Sequence, residues 1–377
     1  MFVTNDLGSS NQIKGNAKAM TTTEYTLVPK FLCVPLLLLV TTMPAFAGKE
    51  RTVSKLADGI FVIQHQDSPA IAGNTTIIIG DRVAFVVDSG YLPSQAREDI
   101  AQIRTWTSKP VAFLLDTHWH NDHNVGNFEY ANAFPAITII AHKETKRQMD
   151  SFAPNSLKRQ KDTLDRVNHY LASGKTEDGA RLSEDDRKEL QADLPGLRQE
   201  VEELKDFRYQ PPTLTFESGF DIDLGNREVQ VKFLGRGNTG GDAVVYLPKE
   251  KVVITGDLVA APTPNTLDGY PEEWIGTLRA LQKLQPATIV PGHGAVMHDQ
   301  VYVENFIALL QSAIDQVRAR IHELGPAPFH SLDEVQGSID LKRFRQKFAG
   351  DDKLQGERFD DEAKALVKIV FFQESLR

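Results

Sequence analysis

Residues 116–123 read Asp-Thr-His-Trp-His-Asn-Asp-His and follow the apolar run Val-Ala-Phe-Leu-Leu at 111–115. In an extended chain, side chains two residues apart point the same way, so His118 and His120 can meet one ion. Beyond a bend, Asp122 and His123 can face a second ion. Three imidazoles and a carboxylate this close together would repel and desolvate one another unless a cation held them. The stretch therefore predicts a metal site at the end of a buried strand.

Strand-like and helix-like segments surround this stretch. Short β-branched runs with Gly-Asp and Asp-Gly turns fill residues 52–142, with a helical pattern at 94–106. Strand texture returns from Thr213, and helical patterns follow at 272–284 and 299–323. This alternation predicts an α/β protein with two sheet-forming halves.

Residues 143–210 form a charged segment between the two halves. Apolar residues recur there at helical spacing, and Ser183 and Asp186 are placed to cap a helix that Pro195 could split in two. Helices with charged solvent faces packed over the core are the favoured interpretation. A partner-binding coiled coil is the alternative, disfavoured because the apolar stripe is shorter than three heptads. We therefore interpret 143–210 as a helical insertion.

The first 47 residues have the features of a secretory signal. Lys30 precedes the apolar run 31–40, which is too short to span a bilayer, and Ala45 and Ala47 occupy the positions expected before a cleavage site. A retained membrane anchor is the alternative interpretation. Cleavage after Ala47 removes Cys33, the only cysteine, and leaves a net charge of -10. We expect a periplasmic or secreted protein with no stable membrane insertion after cleavage.

Composition limits the chemistry of the chain. Its 377 residues carry a formal net charge of -9, and an acidic surface repels phosphate backbones, which argues against a nucleic-acid partner. A mature chain without cysteine has no thiolate nucleophile and must hold a metal with His and carboxylates. No G-x-S-x-G elbow and no Walker A sequence occurs. The expected partner is a small-molecule substrate, and the oligomeric state stays open.

The motifs together resemble the metallo-β-lactamase superfamily. Its H-x-H-x-D-H hallmark is matched by His118, His120, Asp122 and His123. Later motifs agree in order: V-V-I-T-G-D ends at Asp257, the position of a bridging Asp, and V-P-G-H-G contains His293, the terminal His. An upstream strand ends in V-V-D-S-G at Asp88. The resemblance covers about residues 52–310, the insertion excepted, and implies a four-layer αββα fold with two mixed sheets between helices.

One position departs from the superfamily pattern. Its third motif normally supplies a His, and the matching stretch L-G-R-G-N-T-G-G-D has Asn238 there. An amide oxygen binds zinc more weakly than an imidazole nitrogen does, so Asn238 is a weak ligand or none. The resemblance thus implies a tighter second site, built from Asp122, His123, His293 and Asp257, and a weaker first site. We expect one tightly bound Zn²⁺, with room for a second; a degenerate, inactive site is the rival interpretation.

The resemblance implies zinc-dependent hydrolysis of a carbonyl substrate such as a β-lactam, lactone or ester. Asp122 is the expected catalytic residue, because it can orient the attacking water and pass on its proton. Two other functions stay open: a non-catalytic metal-binding protein, and a single-iron sulfur oxygenase, which the weakened first site disfavours. A glutathione thioester is a less suitable substrate because it is cytoplasmic, and a nuclease role is disfavoured by charge.

Four residues of the chain are expected to contact the substrate. In the resembled fold, loops beyond the metal strands line the cleft, which points to Asn74, Arg236, Tyr270 and Trp274 as substrate-binding residues. For Tyr270 and Trp274, packing of the Pro-rich loop against a helix is the favoured interpretation and substrate contact is the alternative. Arg236 can equally hold an anionic group or be a solvated turn residue. The predicted domains are a signal peptide at 1–47, a metallo-β-lactamase-like domain at 48–324 and a helical C-terminal extension at 325–377.

Overall fold

The computed structural model describes residues 51–65, 72–177, 179–325 and 332–375. The predicted signal segment at 1–47, with Cys33, lies outside the described residues. Within the described ranges, no helix combines the length and apolarity needed to cross a bilayer.

The first sheet has seven strands, which lie side by side in sequence order. Neighbours are antiparallel from the first strand to the fourth and parallel from the fourth to the seventh, so the sheet is mixed. Its strands are β1 Thr52–Ala57, β2 Ile60–Gln64, β3 Thr75–Ile79, β4 Ala84–Val87, β5 Val111–Asp116, β6 Thr138–His142 and β7 Leu214–Phe216.

The second sheet has five strands in the order β12-β11-β10-β9-β8. Its neighbours are antiparallel except for β11 and β12, which run parallel. The strands are β8 Gly219–Asp223, β9 Glu228–Phe233, β10 Ala243–Leu247, β11 Val252–Ile254 and β12 Thr288–Val290.

The two sheets pack face to face through one apolar cluster. Side chains of both sheets alternate into it, because residues two apart in a strand share a face. Helices cover the opposite faces: α1 and α3 pack on the first sheet, and α7 and α8 on the second. The four-layer αββα prediction is confirmed. The helices are α1 Pro93–Trp106, α2 Asn121–Asn124, α3 Asn127–Ala133, α4 Lys143–Phe152, α5 Ser156–Ser173, α6 Glu184–Glu203, α7 Pro271–Lys283, α8 Val301–Leu324, α9 Leu332–Gln336, α10 Lys342–Ala349 and α11 Lys353–Ser375.

The segment between β6 and β7 consists of the helices α4, α5 and α6. Ser183 and Asp186 form a reciprocal capping box at the start of α6, as their spacing predicts. The prediction that Pro195 could split this helix is wrong, since α6 continues through it. Pro195 lies on the exposed face, where water can satisfy the carbonyl that loses its intrahelical partner.

The C-terminal helices α9, α10 and α11 share a hydrophobic core with α7 and α8. Phe344 and Phe359 are almost fully buried in that cluster, beside Phe306 of α8 and Trp274 of α7. The extension therefore thickens the outer layer on the second sheet instead of forming a core of its own.

Candidate metal centre

The candidate ligands lie on loops that follow strands of both sheets at one edge of the sandwich. β5 ends at Asp116, and the next eight residues carry four of them, ending in the short helix α2. Asp257 follows β11, and His293 follows β12. These loops are held together by backbone hydrogen bonds. Ala260 and His293 form an isolated parallel β-bridge, and the Asn74 N–H donates to the Gly292 carbonyl. The edge thus collects side chains that are far apart in sequence.

A first group consists of His118, His120 and Asp257. Nε2 of His118 lies 3.0 Å from Nδ1 of His120 and 3.8 Å from Oδ2 of Asp257. His118 is fully buried, and His120 is partly open to the cleft. These are nitrogen and oxygen atoms that zinc accepts as ligands.

A second group consists of Asp122, His123 and His293. Oδ2 of Asp122 lies 3.0 Å from Nε2 of His293 and 3.4 Å from Nε2 of His123. The two imidazole nitrogens are 3.2 Å apart. Gly73 makes room for this packing, because a Cβ at that position would lie 2.3 Å from the ring of His123.

Asp257 lies between the two groups. Its Oδ1 is 3.4 Å from Nε2 of His123 and 3.5 Å from Nε2 of His293, while Oδ2 faces His118. Oδ1 is buried and accepts no hydrogen bond of good geometry. A Cβ at Gly292 would lie 2.0 Å from this oxygen, so only glycine lets the loop approach so closely. The residues therefore fit a bound cation, because an orphaned carboxylate oxygen facing several imidazole nitrogens is costly without one.

Hydrogen bonds behind the ligands fix which ring nitrogens face the groups. Oδ2 of Asp88 lies 2.8 Å from Nδ1 of His123 and accepts the Thr117 hydroxyl at 2.9 Å. The Thr117 oxygen is in turn 3.0 Å from Nδ1 of His118. Both imidazoles therefore present Nε2 to the centre, which is the usual arrangement of an oriented metal-binding His.

His120 is oriented from the other side. Its Nε2 faces Oδ2 of Asp268 at 3.3 Å, which leaves Nδ1 toward His118. Asp268 lies in the loop before α7, and Glu362 of α11 accepts the N–H of Thr266 in the same loop at 3.0 Å. The C-terminal extension thus supports the loop that orients His120. Neither Asp268 nor Glu362 belongs to a sequence motif that would have indicated this role.

The pKa values of the imidazoles in the cluster shift in opposite directions. Burial and the neighbouring His123 and His120 lower the pKa of His118 well below its usual value, so this ring is neutral. Burial also acts to lower the pKa of His123 and His293, but the carboxylates of Asp122 and Asp257 outweigh it and raise both. The same attraction lowers the pKa of each carboxylate against its burial. A cation that binds here displaces protons from these rings.

Asn238 lies in a turn held by Asp242, whose carboxylate accepts the N–H groups of Gly237 and Thr239. Asn238 is fully buried, and its amide N–H donates to the Asn265 carbonyl at 2.9 Å. Its carbonyl oxygen is buried and accepts no hydrogen bond. The turn therefore leaves an unused neutral oxygen where the third motif expects an imidazole.

Two of the four residues predicted to contact substrate, Trp274 and Asn74, are buried. Trp274 is fully buried, donates to the Leu258 carbonyl at 3.2 Å and packs edge-on against Phe306, so the prediction that it faces substrate is wrong. Asn74 is also buried, and its amide donates to the Pro291 and Gly294 carbonyls on either side of His293. These bonds position that loop, and substrate binding by Asn74 stays a prediction.

Arg236 and Tyr270 lie together at the surface. The guanidinium of Arg236 lies 4.2 Å from the centre of the Tyr270 ring and forms an ion pair with Glu273. An anion would have to compete with Glu273 for it. Substrate binding by Arg236 and Tyr270 stays a prediction.

Comparison with known proteins places this centre in a family. The profile of the metallo-beta-lactamase superfamily matches residues 69–293. The chain belongs to that superfamily. The matched residues include the candidate ligands of both groups.

Two curated relatives illustrate the range of the similarity. A linear primary-alkylsulfatase from a Pseudomonas strain is 28% identical over 247 residues, which cover 63% of this chain but only 44% of that protein. A metallo-beta-lactamase type 2 from Elizabethkingia meningoseptica is 21% identical over 270 residues, which cover 69% of this chain and 85% of that protein. The chain therefore spans less than half the length of the alkylsulfatase.

Among solved structures, the metallo-beta-lactamase from Pontibacter korlensis aligns with a TM-score of 0.50 and 19% sequence identity. The alignment covers 70% of this chain and 99% of that one. This likeness concerns the fold alone.

Proposed function

We propose that this protein is an exported zinc-dependent hydrolase that cleaves a carbonyl substrate of the β-lactam, lactone or ester class. The observation that carries the proposal is the position of Asp257, whose two oxygens face the imidazoles of two separate ligand groups. Export rests on the leader-like residues 1–47.

The residues of the centre suit this chemistry. Zinc, when bound, lowers the pKa of a bound water to about 7 and polarises a carbonyl. Asp122 is ionised and its side chain is partly open to solvent, so it can accept a hydrogen bond from the attacking water and hold it toward the substrate. Asp88 and Asp268 keep His123 and His120 in one orientation. Attack by a metal-activated water needs no covalent intermediate.

We further propose that the second group binds zinc more tightly than the first. The second group offers Asp122, His123 and His293 together with Oδ1 of Asp257. The first offers two imidazoles and the other oxygen of Asp257, and the third-motif position that would supply an imidazole holds Asn238, whose amide oxygen is neutral. Charged and imidazole ligands hold zinc better than an amide oxygen does.

Hydrolysis of a sulfate ester is a second candidate. It is favoured by the similarity to the alkylsulfatase, which has a higher identity than the lactamase from Elizabethkingia meningoseptica. Both candidates use the same ligands and differ in the bond that is cleaved.

The test combines metal analysis with a panel of substrates. Protein produced without added metal is analysed for zinc and iron, then assayed with nitrocefin, lactones, 4-nitrophenyl esters and dodecyl sulfate. Zinc with turnover of a carbonyl substrate supports the first proposal, and turnover of dodecyl sulfate alone supports the second. Zinc without any turnover indicates a non-catalytic binding protein, and iron with oxygen consumption indicates a sulfur oxygenase.

A matched pair of variants assigns the activity to the centre. His293→Asn removes a ligand of the second group, whereas His322→Asn removes an exposed imidazole from α8. We expect the first variant to lose zinc and activity and the second to keep both. Full activity in His293→Asn would overturn the proposal.

A further inference from the structure

An aromatic strip runs from the metal centre onto the inserted helices. The Trp119 ring contacts His120 edge-on, with ring centres 4.5 Å apart. Phe152, the last residue of α4, stacks on Trp119 at 4.7 Å and an interplanar angle of 25°. Phe152 is 40% exposed, so its ring presents apolar surface to solvent beside Trp119. A ligand at His120 would therefore meet an accessible apolar surface.

Arg159 of α5 lies beside Phe152, at the end of the strip that is farther from His120. Its guanidinium carbon lies 5.9 Å from the centre of the Phe152 ring. The guanidinium donates to the Phe152 carbonyl and to the Ser156 hydroxyl, and within the described ranges it has no carboxylate at ion-pair distance. A half-buried guanidinium without a counter-ion is costly to keep, so the site favours an anion.

The helix that carries Arg159 is anchored beside the second ligand group. The next residue, Gln160, donates to the hydroxyl of Tyr91 and to the Glu200 carboxylate. Tyr91 belongs to a buried cluster with Val125, the residue directly after α2, which carries Asp122 and His123. The helix that carries Arg159 is thus anchored, through Gln160 and Tyr91, to the segment that follows Asp122 and His123.

We propose that Trp119, Phe152 and Arg159 form a substrate subsite that selects an apolar arm ending in an anionic group. The order from the centre is His120, Trp119, Phe152, Arg159, so the bond to be cleaved lies at one end of the arm and the carboxylate, sulfonate or similar anion at the other. The arm packs on the two rings, and the guanidinium pairs with the anion. Cleavage rests on the proposed hydrolytic function; binding of the arm does not.

Binding is tested first on the chain treated with EDTA, so that metal and turnover play no part. Octanoate and octan-1-ol are titrated while tryptophan fluorescence is recorded, in wild type, Arg159→Gln, Phe152→Ala and the control Lys158→Gln. Lys158 is an exposed neighbour on α5 whose charge is paired with Asp162. We expect Arg159→Gln to weaken octanoate binding about tenfold and leave octanol binding unchanged, because the neutral amide cannot replace the charge-assisted hydrogen bond between the guanidinium and the carboxylate.

The other variants complete the test. Phe152→Ala should weaken both probes, and Lys158→Gln should change neither. Equal octanoate binding by wild type and Arg159→Gln, an equal loss in Lys158→Gln, or no binding of either probe by wild type would each overturn the subsite.

A second experiment separates this inference from the proposed function. Zinc-loaded wild type and Arg159→Gln are compared on 4-nitrophenyl octanoate and on mono-4-nitrophenyl suberate, which has a carboxylate at the far end of a similar chain. We expect the ratio of kcat/KM for suberate over octanoate to fall about tenfold in Arg159→Gln. Cleavage of both esters with an unchanged ratio refutes the subsite and leaves the hydrolase. Absence of cleavage with Arg159-dependent octanoate binding refutes ester hydrolysis and leaves the subsite.

Discussion

The carboxylate of Asp88 lies 2.8 Å from Nδ1 of His123, on the side of the ring opposite the candidate metal ligands. Asp88 has a left-handed backbone with φ of 59°, which brings its side chain back under α2. The same carboxylate accepts both the N–H and the hydroxyl of Thr117. One acidic residue at the end of β4 therefore orients two ligand-bearing segments.

Asp88→Asn is expected to lower the zinc affinity of the second group about 10- to 100-fold, because an amide no longer stabilises the orientation and basicity of the His123 ring. Asn tolerates the left-handed backbone, so the fold should persist. Competition with a chromogenic chelator measures the affinity. Asp81→Asn, an exposed change in the β3–β4 turn, should have no effect. Unchanged affinity in Asp88→Asn would show that the hydrogen bond has no role in metal binding.

Asn238→Asp is expected to raise the metal content of the chain from about one zinc toward two. The substitution keeps the volume of a fully buried side chain and replaces a neutral oxygen by a charged ligand. Asn238→His should act in the same direction, and Asn238→Ala should not. Elemental analysis after dialysis against limiting zinc measures the ratio. Two equally tight ions in the wild type would contradict the assigned role of Asn238.

Glu200 of α6 is expected to make stability depend on pH. Burial raises its pKa from 4.5 to about 7. A folded pKa above the unfolded one means that the added stability is present below about pH 4.5 and is lost as pH rises through about 7. Relative to Glu200→Gln, the wild type should therefore lose about 3 kcal/mol of unfolding free energy over this interval.

Urea unfolding of the metal-free chain between pH 4.5 and 8 measures this difference. Glu202→Gln is the matched control, because Glu202 is exposed on the same helix and paired with Lys205. Its pH profile should follow that of the wild type. Parallel profiles for wild type and Glu200→Gln would refute the prediction.

Glu362→Ala is expected to destabilise the fold by about 1–2 kcal/mol, because it leaves the buried N–H of Thr266 without its acceptor. The loosened loop also carries Asp268, so zinc at the first group should be held less tightly. Denaturant unfolding and zinc titration test the two effects. Glu357→Ala changes an exposed acid of the same helix and should shift neither by much.

The sequence predicts local features of this chain well. The helical patterns at 94–106, 272–284 and 299–323 correspond to α1, α7 and α8. The H-x-H-x-D-H stretch also contains enough spacing information to place four ligand candidates at one strand end. These signals are local because periodicity and motif spacing depend on neighbouring residues.

Contacts between distant segments could not be predicted in this way. Asp268 faces His120 only because the loop before α7 is held by Glu362 of α11. The resemblance points to Trp274 as a cleft residue because loops beyond the metal strands line the cleft in that fold. Trp274, Ile275, Leu278 and Leu281 instead form a helical stripe that belongs to the core. The helical spacing of these apolar residues predicts the burial of Trp274 better than its position beside the loop does.

All metal-ligand candidates lie outside the chain segment that joins β6 to β7. His118, His120, Asp122 and His123 precede it, and Asn238, Asp257 and His293 follow it. Helices α4 to α6 form that segment, which connects two adjacent parallel strands of the first sheet. A change in the length or sequence of this segment therefore leaves every candidate ligand in place, and under the proposed subsite it would alter which compounds bind.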